Sequence, residues 1–531
     1  MWINYCEFVD NFSMFSAFFV DLCRKLGCKT EKMRQRFEQQ ITLGTFPIAE
    51  IEFSVKSRDE LPPTLKALQY IFMTPELNDK VFGLLEEKIT SKKKKTGRPG
   101  MDLWHILVLA VTRHACGTDW DKLTFWSNDL AILRKILGVY NPVLEIKNPF
   151  TFNLQSIKDN VSLVDEELLY KINQLVVEAG HKMLKKKEDE GLRLKTDSFV
   201  VESNVHFPTD LNLLWDSMRK CLDIIRQLQK LAKIKGWREI KAWRRKFKSC
   251  FRSTSQVVFK GRNEEKKKEA VKQYLAMALE LKARCMFIVN TPPVITGSEQ
   301  IIAFTMLSLR NYCEYAGKFC GQIERRLIKG EQIPAEEKVF SIFEPYTEWI
   351  TKGKQNKKVE LGLLTMITTD QYHFIVDYKV MEKQRDQAQV APLVKRIAHN
   401  FPGVKILSHS FDKGFDNKDN RKTLDESTVE LVVLPKKGRH TKEDKERESD
   451  PEFIRLRHQH SGVESNINRL EHHGLNRCMD KGKKHFKRYV GLSVLACNLH
   501  TLGNALLDAD RKKEERKPKR QPPKTFLAQA A

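Results

Sequence analysis

The sequence predicts an α/β protein: a mixed sheet interrupted by a large all-helical insertion and preceded by a helical N-terminal region. Three observations carry this. Residues 192–205 are rich in Val, Thr and Phe, lack a helical stripe and read as a strand. From Leu211 to about Phe343 the pattern turns helical, with Leu211, Leu214, Met218, Leu222, Ile225 and Leu228 spaced three or four apart. Beyond that block the period falls to two, and short strands alternate with helices.

Taken in order, residues 1–32 are rich in Phe, Cys and Trp and form an atypical extension. Met33 opens a charged, helical pattern that runs to about Ile89. The run Lys92 to Lys95 and the turn Gly97 to Gly100 read as a linker. Asp102 is a candidate cap for a helix carrying Leu103, Ile106, Leu107 and Ala110. Gly117 to Asp119 separates it from a second helix at Trp120 to Trp126. Helix, glycine turn and helix fit a DNA-binding helix-turn-helix, and equally a small bundle that touches no DNA.

After the helical block, Val359 to Thr368 and His373 to Val380 read as strands joined at Thr369 and Asp370. There follow a helix at Val390 to Asn400, a strand at Val404 to His409, a short helix after Asn417, a strand at Glu430 to Leu434 and one long helix across Glu464. The expected divisions are 1–32, 33–90, 91–190, 191–210, 211–343, 344–505 and a basic, disordered tail at 506–531. Residues 191–210 and 344–505 together supply the sheet.

With 531 residues, the chain has length for three or four units and a large core. No stretch approaches the roughly 18 consecutive apolar residues of a membrane helix. The apolar stretch Phe12 to Val20 follows Glu7 and Asp10 rather than basic residues, which fits a signal peptide poorly, so a cytoplasmic, membrane-free location is expected. The eleven cysteines include no C-x-x-C and read as reduced, mostly buried thiols. A formal net charge of +25 points to a polyanion, with nucleic acid first. The excess is local: 91–100 carries +5, 211–270 carries +12, 476–490 carries +5 and 511–531 carries +6, leaving the rest slightly acidic.

Three carboxylates occupy positions that chemistry can use. Asp197 interrupts an apolar strand, where an unpaired charge is costly. Asp412 lies just past the end of a later strand, beside Gly414, although Asp in D-K-G is also a common turn former. Glu464 sits on the following helix. Adjacent strands lie ~5 Å apart, so two strand ends bring Asp197 and Asp412 together, and the helix adds Glu464. Such a set suits hard cations, and two ions ~4 Å apart clamp the oxygens of an in-line phosphoryl displacement.

The segments TDSFVVESNVHFPTD, IFEPYTEWITKGKQNKKVELG, FDKGF and HSGVESNINRLEHHGLNRCMDKG stand in this order between Thr196 and Gly482. Together they resemble the DDE transposases of bacterial insertion sequences, in particular the ISNCY group near the IS4 and IS5 superfamilies. The resemblance covers about Met33 to Asn504. It implies an RNase H-like catalytic domain split by the helical insertion, with Asp197, Asp412 and Glu464 as the catalytic and metal-binding triad. It further implies two Mg²⁺ or Mn²⁺ ions, double-stranded DNA at element ends and target sites as the substrate, and at least a dimer on DNA. The expected reaction is metal-dependent cleavage followed by strand transfer. One departure stands out: where the IS4 signature has Tyr, Arg and Lys around the Glu, this chain has Arg457, His460 and Glu471. The basic role falls to His460, and steps that rely on the Tyr and Lys do not carry over.

Other residues follow from their chemistry. Lys413, beside Asp412, is a candidate phosphate contact. Lys241, Arg244, Arg245, Lys246 and Lys248 interleave with Trp243 and Phe247, and Trp237 precedes them. The basic side chains are expected to track DNA and most of the rings to be core. Glu202 is a rival ligand with a supporting role expected, and His206 and Asp210 rank below it. His472, His473 and Cys478 read as structural, without zinc. The competing readings are an RNase H-like nuclease or resolvase that cuts without joining, and a DNA-binding protein that has lost catalysis.

Overall fold

The structure is a computed structural model, which describes residues 36–39, 43–54, 57–90, 100–143, 150–185, 190–230, 234, 236–292, 299–351 and 359–516. The expected extension at 1–32, the basic run 92–95 and the end of the tail from 517 lie outside the described residues.

The N-terminal region holds seven helices among the described residues: α1 (Leu61–Met73), α2 (Pro75–Thr90), α3 (Leu103–Ala115), α4 (Trp120–Asp129), α5 (Ala131–Ile136), α6 (Leu154–Val161) and α7 (Glu166–Leu184). The helical pattern expected from Met33 onward starts only at Leu61. Before it, the described residues form one 3₁₀ turn at Ile48–Glu50 and otherwise irregular chain. Gly44, at φ +86°, and Pro47 break any helix there, whereas prolines at the first turn of α1 are tolerated. The helix pair α3 and α4 is as expected, with Gly117 at φ +56° in the turn. Its cap is Asp119, which accepts from Lys122 N at 2.7 Å, while Asp102 makes no side-chain cap bond. Every residue of α3 is buried.

β1 (Leu192–Ser203) leads into the helical block α8 (Asp210–Leu228), α9 (Ile240–Lys260), α10 (Glu264–Asn290) and α11 (Glu299–Ile323), which has its own apolar core. Then come β2 (Glu348–Ile350), β3 (Glu360–Thr369), β4 (Ile375–Val380), α12 (Val390–Asn400), β5 (Ile406–Phe411), α13 (Lys418–Asp425) and β6 (Val429–Val433). The chain closes with α14 (Lys442–Ser449), α15 (Pro451–His460), α16 (Gly462–Leu470), β7 (Arg477–Cys478) and α17 (Lys483–Arg516).

The sheet runs β4, β3, β1, β5, β6. β1 is antiparallel to β3, and β3 to β4, whereas β5 is parallel to both β1 and β6. β2 joins β3 beside Glu360 to Gly362, and β7 extends β1 at Glu202 and Ser203. Strand residues alternate between faces. Leu192, Leu194 and Val200 of β1 join the large cluster formed with the N-terminal helices. Phe199 and Val201 join a second cluster with Val463, Phe486 and Val490. α17 runs through both clusters and packs against α1, α3 and α7. By length and composition it is apolar enough to cross a membrane, yet its apolar window is 72% buried inside the fold.

Four sequence expectations change. The β3–β4 connection is not a two-residue turn. Asp370 Oδ1 accepts from Tyr372 N and Phe374 N, both at 2.9 Å, and His373 takes φ +67°, so the strands resume only at Ile375. β5 spans 406–411 rather than 404–409, which puts Asp412 at its very end. The single long helix across Glu464 is instead α15 and α16, broken at Ser461. There the backbone tightens to Ser461 N→His458 O at 3.4 Å and Glu464 N→Ser461 O at 3.1 Å. α16 ends in a π turn closed by Gly474 at φ +97°. Finally, residues 506–516 are not part of a disordered tail but continue α17, held by an Asp510–Lys66 ion pair at 2.8 Å.

Candidate active site

β1 and β5 run parallel, with Thr196 opposite Phe411. The next residues, Asp197 and Asp412, therefore stand side by side where the two strands part. Alternation places Lys195 and Asp197 on one face, with Ser410 and Asp412 beside them on β5. This is the face of Phe199 and Val201, which α16 covers through Val463. A Cβ on Gly462 would stand 3.0 Å from Lys195 Nζ, so the start of α16 lies against that lysine. Glu464 is exposed in the first turn of α16, two residues further on. Asp197 and Asp412 are thus neighbours across β1 and β5, and α16, which carries Glu464, packs on the same face.

The immediate surroundings are polar. Asp197 Oδ1 accepts from Ser198 N at 2.7 Å. Asp412 and Lys413 are exposed, and Lys413 opens a 3₁₀ turn that ends at Phe415. His460, at the end of α15, joins its Nδ1 to Ser410 Oγ at 2.9 Å, while its Nε2 is buried without a hydrogen-bond partner. Burial pushes its pKa down to about 4, against the pull of Asp412. His460 is therefore a neutral imidazole packed against the site at pH 7, not the basic group that the resemblance implied at this position. Burial also lowers the pKa of the Lys195 ammonium.

Two neighbours escaped sequence reasoning. Lys195 was legible in principle, because strand alternation puts residue 195 on the face of residue 197. Asp386, just ahead of α12, carried no such signal. Its Oδ2 lies 3.1 Å from where a Cβ on Gly414 would stand, and Asp412 Oδ2 lies 3.9 Å from the same point. A side chain at 414 would crowd Asp386. Asp386 Oδ1 is buried without a hydrogen-bond partner. By donor chemistry these carboxylates suit a hard divalent cation, although among the described residues no three carboxylate oxygens lie within 4.8 Å of one another.

The other named residues are engaged elsewhere. Glu202 pairs with Arg477 at 3.1 Å, on the opposite face of β1 from Asp197. His206 pairs with Asp216 at 3.2 Å and Asp210 with Arg326 at 2.8 Å. Arg457 stands 3.8 Å from Glu448, and Glu471 is exposed. His473 Nδ1 meets Ala115 O at 2.9 Å, Cys478 is buried and His472 is exposed. In the helical block, Trp237 and Phe247 are core and Trp243 is half-buried, as expected of the rings. Lys241, Arg245, Lys246 and Lys248 are exposed on α9, whereas Arg244 binds Asp223 at 2.7 Å. α9 packs on α8 and α10, so this basic face belongs to the insertion rather than to the carboxylate cluster.

The basic segment after α16 is largely paired. Lys483 and Lys487 meet Glu382, and Arg488 joins Arg113 on the buried Asp480.

No curated protein and no solved structure matches the chain significantly. Among protein families, the model described as the transposase DDE domain matches residues 325–499. The matched span contains β2 to β6, Asp412 and Glu464, and leaves Asp197 in the part of the chain before the insertion. Residues 325–499 are therefore similar to a transposase DDE domain, the relationship implied by the four sequence segments.

Proposed function

We propose that the chain is a DDE transposase that cuts DNA at the ends of an insertion sequence and transfers the cut strand into target DNA. The observation that carries this reading is the Thr196–Phe411 register, which sets Asp197 beside Asp412 under the helix bearing Glu464. The strand order β4, β3, β1, β5, β6, antiparallel on one side of β1 and parallel on the other, supports an RNase H-like catalytic domain.

Asp197, Asp412 and Glu464 would hold the divalent ions, two Mg²⁺ or Mn²⁺, which when bound activate a water or a DNA 3′-hydroxyl and stabilise the leaving oxygen. Asp386 adds a fourth carboxylate beside Asp412. The chain's own groups do the remaining work. Lys413, exposed next to Asp412, meets a phosphate that approaches the strand ends. Lys195 supplies a second cation on the same face as Asp197. Neutral His460 keeps Ser410 and the end of β5 in place. The exposed basic face of α9 tracks duplex backbone away from the reacting phosphate, and pairing two element ends calls for at least a dimer.

The test supplies a pre-cut element end, target DNA and Mg²⁺. Joined product that is lost in Asp412→Asn, with DNA binding retained, supports the reading. Cleavage without any joining would leave a nuclease and overturn it.

A further inference from the structure

The carboxylate chemistry makes no use of three cysteines in the core of the helical block. Cys221 on α8, Cys285 on α10 and Cys313 on α11 are all buried, and their sulfurs lie within 4.8 Å of one another. Cys221 Sγ and Cys313 Sγ are 3.7 Å apart. Single buried cysteines are ordinary small core residues. Here three helices each direct one sulfur to the same point.

A charged group accompanies them. Lys282 lies one turn before Cys285 on α10, and its Nζ stands 2.6 Å from where a Cβ on Gly317 of α11 would be. The missing side chain at 317 lets the ammonium reach the α11 backbone one turn beyond Cys313. The Cys313 thiol is pushed down to about 4 by hydrogen bonds from the Cys221 and Cys285 thiols, and Lys282 acts in the same direction.

Geometry and charge agree on a ligand class. Metal–sulfur bonds of about 2.3 Å put two sulfurs on one ion about 3.8–4.0 Å apart, close to the 3.7 Å between Cys221 and Cys313. Three thiolates, one divalent cation and the Lys282 ammonium sum to zero, which suits a buried site. Soft sulfur donors select thiophilic ions over Mg²⁺.

We propose that Cys221, Cys285 and Cys313 form a tris-thiolate site for one thiophilic cation of the zinc type, which ties α8, α10 and α11 together. Binding releases the three thiol protons to water. The site stabilises the insertion and is separate from the carboxylate site on the sheet.

The test uses the full chain, reduced, in an Asp412→Asn background so that carboxylate-bound metal does not contribute. Titration with Co²⁺ is expected to give a sulfur-to-cobalt charge-transfer band that saturates at one equivalent, bleaches when Zn²⁺ is added and is lost in Cys285→Ser. Absence of the band in the reduced chain, or an unchanged band in Cys221→Ser, Cys285→Ser and Cys313→Ser alike, overturns the proposal. Because a core variant can misfold, zinc-edge X-ray absorption of the zinc-loaded parent protein provides an independent reading. Three sulfur scatterers at about 2.3 Å support the site, and a shell of oxygen and nitrogen only refutes it.

Discussion

Thr196 of β1 and Phe411 of β5 are partners in a parallel ladder, which makes Asp197 and Asp412 neighbours at the point where β5 ends and the two strands part. Asp197→Asn and Asp412→Asn keep the shape of each side chain and remove a charge that a divalent ion requires. Each should lower DNA cleavage at least ~10³-fold while leaving the melting temperature and DNA affinity close to those of the parent, as measured by cleavage assay, thermal unfolding and filter binding. An active Asn variant at either position would remove that residue from the site.

The exposed face of α9 should contribute to DNA affinity through phosphates rather than bases. Replacing Arg245, Lys246 and Lys248 together by Ala should weaken binding by a similar factor on unrelated duplexes. The slope of log K against log salt should flatten by about one for each phosphate that the variant no longer neutralises. Weakening confined to one sequence would instead mean base readout.

Asp480 is nearly buried between Arg113 at 2.8 Å and Arg488 at 2.9 Å. Asp480→Ala would strand two buried guanidiniums and should cost about 3–5 kcal/mol, seen as a lower urea midpoint. Since Arg113 sits on α3 and Arg488 on α17, the N-terminal helices should loosen together with the C-terminal helix, which hydrogen exchange would detect.

Gly503 inverts the usual helix rule. In an exposed helix interior Gly→Ala stabilises by about 1 kcal/mol, but a Cβ here would stand 1.8 Å from Pro63 O of α1. Gly503→Ala should therefore destabilise the protein, by roughly 1–3 kcal/mol or more. A variant that melts higher would show that α1 and α17 can separate freely.

His409 is buried, and its Nε2 lies 2.7 Å from Thr196 Oγ1. Burial, with His460 close by, lowers its pKa to about 3. The unfolded chain then takes up a proton near pH 6.5 that the folded chain refuses until about pH 3. Its contribution is fully present above pH 6.5 and is lost progressively as the pH falls towards 3. Urea midpoints at pH 7.5 and pH 5 should differ, and the difference should shrink in His409→Gln.

The order of strands and helices around the carboxylates was readable because it rests on local periodicity, and α12 was placed at the residues the pattern indicates. Asp197 stood out as a charge within an apolar strand, and Asp412 as an acid at a strand end. Helix breaks were less legible. At the interruption, Gly462 lies against Lys195 of β1, a residue more than 260 positions away. The neutral state of His460 likewise depends on burial that sequence spacing does not encode.

By itself the sequence determined the α/β class, the long helical interruption, the basic stretches and the three carboxylates, all of them matters of residue type and period. Only the tertiary structure decided which strands are neighbours, and so which carboxylates meet. It also decided that Asp386 lies beside Gly414, that Glu202 faces away, and that Cys221, Cys285 and Cys313 converge. The physical reason is that adjacency across a sheet or between helices is set by the packing of whole apolar faces. No local stretch of chain carries that information.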